Sequence, residues 1–374
     1  MPKYKDCHAF ITGLGIAVPP YRIAQEVIGR FMKRHMMSQK PIARQIDRLT
    51  RQSLIDYRYT VVKDYALEPE YFTFYPPKED LEPFPTVSRR MQLYREAAPE
   101  LGAQAAVECL AEAEVAPSDV THLICVSCTG MYAPGLDIDL VERLGLSHSV
   151  ARTSILFMGC YAAFNALKAA SAIVAENPGA RVLIVCVELC SLHFQKHEGE
   201  NSRLLSNMLF GDGASAAMVE NRRPKQRKAI GLVHFLCDLF PEGKDDMTWE
   251  IADWGFVMKL SSSVPEVLRD GLPRMIGKLR RESGCTGEEF RHFAIHPGGP
   301  RILETVEQVM GLNREDNRWA YEILRDYGNM SSATLFFVLH RLIGHENSSD
   351  GDLIYAAAFG PGLTCESALL RVSV

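Results

Sequence analysis

Ser154-Ile-Leu-Phe-Met-Gly-Cys160-Tyr-Ala-Ala-Phe-Asn-Ala-Leu-Lys-Ala-Ala170 joins a strand-like apolar run to an alanine-rich apolar helix, and the join falls on Gly159 and Cys160. A helix start presents unpaired amide hydrogens and a partial positive charge, which favour thiolate over thiol. Gly159 allows a sharp turn, and the small Ala162 and Ala163 leave room for a reactant to approach. The segment therefore reads as a strand–turn–helix that displays a covalent acyl carrier. A cysteine in an apolar run is otherwise a small core residue, so the reading depends on partners elsewhere in the chain.

Two further segments supply them. Phe293-Ala-Ile-His296-Pro-Gly-Gly-Pro-Arg301 delivers a histidine from a short apolar strand into a turn, and Tyr327-Gly-Asn329-Met-Ser-Ser-Ala-Thr334 places an asparagine just ahead of another apolar helix. A histidine can pair with a thiolate and then donate to a developing oxyanion, while a neutral amide donates without competing for protons. Taken singly, His296 is a core histidine and Asn329 a turn former. Together with Cys160 they make a nucleophile, an acid/base and an oxyanion donor.

The chain alternates strand-like and helix-like segments, with signs of duplication. Cys160 and Asn329 stand 169 positions apart, and the strand-like runs that begin at His122 and His292 stand 170 apart. Phe210-Gly-Asp-Gly213 is echoed by Phe359-Gly-Pro-Gly362, each a glycine turn feeding a buried strand. The pattern predicts an α/β protein with a parallel-rich sheet in each half, and helices after Cys160 and Asn329 buried between layers.

These motifs, in this order and spacing from about Ile11 to the C-terminus, resemble the type III polyketide synthases, the chalcone-synthase-like branch of the thiolase superfamily, and especially bacterial alkylpyrone and alkylresorcinol synthases. The resemblance implies a thiolase fold, a duplicated five-layered αβαβα architecture with halves at 1–225 and 226–374. It assigns catalysis to Cys160, His296 and Asn329 and a gatekeeper position to Phe210. It further implies substrate contacts from Cys128, Thr129, Cys190, His193 and Met258, CoA contacts from Arg48, Gly298 and Gly299, acyl-CoA and malonyl-CoA as substrates, no metal or other cofactor, and a homodimer. Of three basic positions that hold CoA phosphates in the family, only Arg48 is kept, with Gln45 and Gln52 in the other two and Arg44 and Arg51 one residue away. Cys190 replaces the threonine of plant-like relatives, and Asp246 to Met258 resembles bacterial members that take fatty acyl starters, so a medium- or long-chain starter is expected.

Composition narrows the field. The chain has 374 residues and a net charge of −5, from 46 acidic and 41 basic residues, which argues against a nucleic-acid surface. No apolar run reaches spanning length and the start lacks a signal-peptide core, so a cytoplasmic protein with reduced cysteines is expected. Three rivals remain. A zinc site from Cys125-x-x-Cys128 and Cys186-x-x-x-Cys190 conflicts with strand alternation, which sends 186 and 190 to one face but 125 and 128 to opposite faces. A degradative thiolase needs a second cysteine, and Cys365 lies inside a strand-like segment. A single-round 3-ketoacyl synthase III-like enzyme shares the Cys, His and Asn but not the Gly-Asn-Met-Ser-Ser and Phe-Gly-Pro-Gly motifs.

Overall fold

The computed structural model describes residues 7–35, 40–196, 201–224, 227–285, 289–345 and 348–374. Its N-terminal part runs β1 (Phe10–Ala17), β2 (Tyr21–Ala24), α1 (Gln25–His35), α2 (Lys40–Gln52), β3 (Tyr57–Thr60), α3 (Val87–Ala113), β4 (His122–Ser127), α4 (Leu136–Leu144), β5 (Ala151–Leu156), α5 (Ala162–Glu176), β6 (Arg181–Leu189), α6 (Asn201–Leu209) and β7 (Asp212–Glu220). The chain continues through β8 (Ala229–Leu239), β9 (Met247–Ala252), β10 (Gly255–Leu260), α7 (Val264–Ser283), β11 (Phe290–Ile295), α8 (Pro300–Met310), α9 (Arg318–Tyr327), α10 (Thr334–Ile343), β12 (Leu353–Gly360) and β13 (Thr364–Ser373).

Nine strands form one sheet in the order β11-β12-β13-β8-β1-β7-β6-β4-β5. Its middle is thin, because β1 and β8 pair only at Phe10–Ile11 with Gly231–Ile230. On each side of that seam the pattern repeats: β1/β7 and β7/β6 are antiparallel and β6/β4 parallel, while β8/β13 and β13/β12 are antiparallel and β12/β11 parallel. The duplication expected from the motif offsets is present, but the parallel-rich sheet is not. β12 returns as β13 after only the turn Pro361–Leu363, and so short a link joins antiparallel neighbours, since a parallel pair needs a crossover.

Three apolar cores separate five layers. In the first, α3 and α4 cover one face of the N-terminal half-sheet, with Leu123, Leu183 and Val185 pointing to them. The second holds α5 and α10 between the two half-sheets, where Phe164, Leu167, Phe336, Phe337 and Leu339 have no exposed surface. The third packs α7 and α8 on the outer face of the C-terminal half. This is the α-β-α-β-α thiolase architecture, and the two helices that follow Cys160 and Asn329 form its middle layer. Met32 is a core residue of α1, whereas Met36 and Met37 lie outside the described residues.

Helix α3 lies directly on β1, and glycine makes the approach possible. A Cβ at Gly15 would stand 2.1 Å from the Ala105 carbonyl oxygen and 2.5 Å from the Cys109 nitrogen, both rigid helix backbone. Gly15→Val should therefore destabilise the fold by about 3 kcal/mol through overpacking, read as a lowered urea midpoint with unchanged slope. A stability equal to that of the original chain would contradict this packing.

Candidate active site

The segment after β5 makes the turn that the sequence predicts, with added strain. Phe157 (φ 60°) and Gly159 (φ 77°) both take left-handed backbone, a conformation that costs a bulky residue of order 1–3 kcal/mol. Gly159 is required twice over, because a Cβ there would also lie 2.2 Å from Pro361 Cδ. Cys160 sits in a short 3-10 turn, Gly159–Tyr161, one step before α5 begins at Ala162. The Gly159 amide donates to Cys128 Sγ at 2.9 Å.

Asn329 is held by its own main chain and by Phe210. Its N–H donates to Leu209 O and its carbonyl accepts from Gly211 N, both at 2.9 Å. The Asn329 side-chain Oδ1 accepts from Ser331 N at 2.8 Å, which orients the amide so that Nδ2 is the group left to donate. The Cys160 thiol approaches the same Oδ1 at 3.9 Å. His296 ends β11, its amide bonded to Ala357 O at 2.8 Å, and its ring has no exposed surface. Asn329 lies alongside the ring, yet neither ring nitrogen completes a hydrogen bond.

Burial sets the protonation of this pair. It pushes the Cys160 thiol up to about 12, against a weaker opposing pull from the Ser331 hydroxyl, and it holds His296 down to about 3. Burial thus works against the thiolate–imidazolium pair expected from the helix start, and desolvation opposes the helix dipole at Cys160.

A cavity of about 870 Å³, counting its open mouth, opens on Cys160. All six residues expected to touch substrate line it: Cys128, Thr129, Cys190, His193, Phe210 and Met258. His193 is a fixed wall. Its Nε2–H donates to Thr129 O at 2.7 Å, its Nδ1 accepts from Phe256 N at 3.1 Å, and its ring stacks on Phe256 with centroids 4.3 Å apart. Burial holds it down to about 3, so it stays neutral. Met258 also lines a second, outer cleft with Arg48, Arg51, Lys259, Pro300 and Arg301, and so stands between cavity and cleft. Gly298 and Gly299 are buried in the turn that leads into α8, and the cleft is lined by the Pro300 and Arg301 that follow them.

Sequence reasoning missed three residues that position this site. Glu188, fully buried on β6, accepts from Cys128 N at 3.0 Å, from Thr129 Oγ1 at 2.7 Å and from Ser332 Oγ. It ties the end of β4 to the turn before α10, and burial raises its pKa. A lone acid inside the apolar run Val182 to Leu189 was the signal. Arg58 donates to Phe210 O at 2.5 Å and Asn207 O at 2.8 Å, fixing the junction between α6 and β7 that carries Phe210. Ser331, with φ 47°, brings its hydroxyl to Cys160, and its place in the Gly-Asn-Met-Ser-Ser run was the signal.

The four thiols of the zinc alternative do not converge. Cys125 belongs to the first core and Cys186 to the second, on opposite faces of the sheet. Cys190 lies past the end of β6 in a turn, so strand alternation does not carry it to the face of Cys186. Among the described residues no group of three or more His, Cys, Asp or Glu is placed to hold a metal ion, and no helix is long and apolar enough to cross a membrane. Cys365 is fully buried inside β13, in the third core.

Comparison with known proteins identifies the family. The family model for chalcone and stilbene synthases, N-terminal domain, matches residues 2–222, and that for the C-terminal domain matches 232–374. "Type III polyketide synthase 21" of Oryza sativa subsp. japonica is 32% identical over 371 residues, covering 97% of this chain and 93% of that one. "Alpha-pyrone synthesis polyketide synthase-like Pks18" of Mycobacterium tuberculosis is 31% identical over 291 residues, 77% of this chain and 74% of that one. The chain spans 11% of the length of a Dictyostelium discoideum relative, "Probable polyketide synthase 1". The crystal structure of PKS-I from the brown alga Ectocarpus siliculosus superposes with a TM-score of 0.89 at 29% identity, covering 98% of this chain and 99% of that one. With both domain models matched and the same fold superposed along nearly its whole length, the chain belongs to the chalcone and stilbene synthase family, the type III polyketide synthases, which are acyltransferases that join carbon units by Claisen condensation.

Proposed function

We propose that the protein loads a medium- or long-chain fatty acyl-CoA onto Cys160, extends it iteratively with malonyl-CoA, and closes the chain to an alkylpyrone or alkylresorcinol. The observation that carries the reading is that Asn329 stands beside both the Cys160 thiol and the ring of a fully buried His296 with unpaired nitrogens, while an apolar cavity opens on Cys160. When the thioester enters, the Cys160 proton passes to the His296 ring and the thiolate attacks the acyl carbon. Collapse expels CoA thiolate, which takes the proton back. Malonyl-CoA then loses CO2, and its enolate oxygen receives hydrogen bonds from His296 and Asn329 Nδ2, a contribution of about 3–4 kcal/mol per donor. The enolate carbon displaces Cys160 from the acyl group, and the product is two carbons longer. No step calls for a metal or a redox cofactor, and a cavity poor in water protects the enolate.

Support for an alkyl starter comes from the small thiols Cys128 and Cys190, which share the cavity wall with Ile28, Thr60 and Tyr65. The printed name of the mycobacterial relative, which refers to alpha-pyrone synthesis, points the same way. A homodimer is part of the proposal. β5 is one of the two outer strands of the sheet, and at its C-terminal end Leu156, Met158 and Met131 are exposed. An apolar free edge of this kind invites cover by a second copy.

Cys160→Ala should abolish acyl-enzyme formation and condensation while the fold survives. Intact-mass spectra that still show acylation of this variant would remove Cys160 from the nucleophile role.

The buried pair predicts a distinctive pH dependence for alkylation by iodoacetamide. Between about 3 and about 12 the pair holds one proton shared between sulfur and ring, so the rate in the original enzyme should be nearly flat from pH 6 to 9. In His296→Ala the thiol must lose its proton to solvent, and because burial keeps its pKa high the rate should climb roughly tenfold per pH unit. Parallel profiles would mean that His296 does not take the proton.

Cys190→Phe should penalise palmitoyl-CoA far more than hexanoyl-CoA, since each buried methylene displaced costs about 0.8 kcal/mol. Equal losses for the two starters would show that the acyl tail does not pass Cys190.

A further inference from the structure

A chain of hydroxyl groups runs from the reaction cavity to a buried carboxylate that the condensation steps do not use. Thr60, Tyr65 and Ser191 line the cavity that opens on Cys160. Thr60 Oγ1 donates to Ser191 Oγ at 2.8 Å, and Ser191 Oγ donates to Asp212 Oδ2 at 2.6 Å. Asp212, the first residue of β7, has no exposed surface and is held by two main-chain amides, Ser191 N on Oδ1 at 2.7 Å and Val61 N on Oδ2 at 2.9 Å. Three parts of the chain thus meet at one carboxylate: the end of β3, the turn after β6 and the start of β7.

The direction of these bonds decides what the wall can do. An ionised carboxylate only accepts, so the single proton of Ser191 Oγ points to Asp212 and that of Thr60 Oγ1 to Ser191, in preference to Val62 O at 3.5 Å. Thr60 Oγ1 also accepts from Val62 N at 2.9 Å, which leaves it one lone pair. The Tyr65 hydroxyl is committed to Ser191 O at 2.8 Å. With its donors turned inward, this part of the wall presents acceptors, and a proton accepted there has a path to Asp212. Burial pushes the Asp212 carboxyl up to about 6, against the pull of Ser191, Val61 and Arg58. The groups that face it are Arg58 on β3, Tyr65 and Tyr75 between β3 and α3, and Cys190 beside Ser191. Burial raises both tyrosines and the thiol and lowers Arg58 only to about 10, so between about pH 5 and pH 9 the member of this group that changes charge is Asp212.

We propose that Thr60, Ser191 and Asp212 form a proton relay that removes the enol proton of the extended chain during ring closure. The assignment rests on the polyketide synthase reading, in which a β,δ-dioxo thioester occupies this cavity. As the enol O–H gives its proton to Thr60 Oγ1, Thr60 passes its own to Ser191 Oγ and Ser191 passes its own to Asp212 Oδ2. The enolate oxygen attacks the thioester carbon, the C–S bond breaks, and the relay run in reverse returns the proton to the departing thiolate. The ring product is a pyrone, and no oxidant, reductant or further reactant is consumed. General-base assistance of this kind is worth roughly a hundredfold or more in rate.

Lactonisation of a synthetic β,δ-dioxoacyl thioester of N-acetylcysteamine tests the relay without loading or extension. The original protein should speed pyrone formation over buffer, with a rate that rises with pH up to about 6 and then levels off, because Asp212 must be ionised to take the proton. Ser191→Ala interrupts the chain but leaves Asp212 both main-chain donors, and Thr60→Val exchanges a hydroxyl for a methyl of similar size. Each should lower the plateau by about a hundredfold, leaving a rate that climbs with pH as hydroxide takes the proton. Ser191→Thr, which keeps the hydroxyl, should restore the plateau. An original protein that closes the ring no faster than buffer overturns the proposal, as do folded Ser191→Ala and Thr60→Val variants with the original rate. A variant that loses rate yet still levels off at about pH 6 also overturns it, since the hydroxyl would then shape the wall without passing a proton. If Ser191→Ala does not fold, Thr60→Val carries the same test. Failure of Cys160 to acylate would count against the polyketide reading alone, because the supplied thioester is already extended.

Discussion

The packing of α5 and α10 into one central layer is the constraint on which the rest of the molecule depends. Each helix is apolar on nearly every side because each faces a half-sheet on one flank and the other half of the protein on the other. Neither could be buried in its own half alone. Their shared burial brings the turn carrying Cys160 against the turn Ser331–Ala333 that follows Asn329. Catalytic geometry is thus a consequence of core formation, and the strain at Phe157, Gly159 and Ser331 is maintained by the layers around it.

Burial has a second effect, on charge. A site closed enough to protect an enolate is also closed enough to disfavour isolated charges, which is why burial pushes the Cys160 thiol up and holds the His296 imidazole down. Internal transfer of one proton leaves the net charge of the pair at zero, so the barrier to activating the thiol is much smaller than the separate values imply. Glu188 shows the same economy. Its buried carboxyl is satisfied by a main-chain amide and two hydroxyls, and the bonds it accepts align the loops on either side of the nucleophile.

Met258 links the two compartments, since it borders both the reaction cavity and the cationic cleft. Mostly apolar side chains line the compartment on one side of it, and charged side chains from α2, β10 and α8 line the cleft on the other.

How much of this was legible in the sequence follows from the range of each interaction. Local chemistry determined the turn at Gly159–Cys160, the apolar helices after Cys160 and Asn329, and the repeat of Phe210-Gly by Phe359-Gly, because each depends on neighbours a few residues away. The motif order was enough for the family resemblance and its five layers, and all six cavity residues named from it line the cavity. Strand direction was misjudged because it depends on how β12 returns as β13, which periodicity does not encode. The helix start at Cys160 is visible in sequence, whereas the desolvation that opposes it is set by every layer packed around the site. The partners of Glu188 and Ser331 are the work of tertiary structure alone: each draws its meaning from residues dozens to hundreds of positions away, brought together only when the two halves close on α5 and α10.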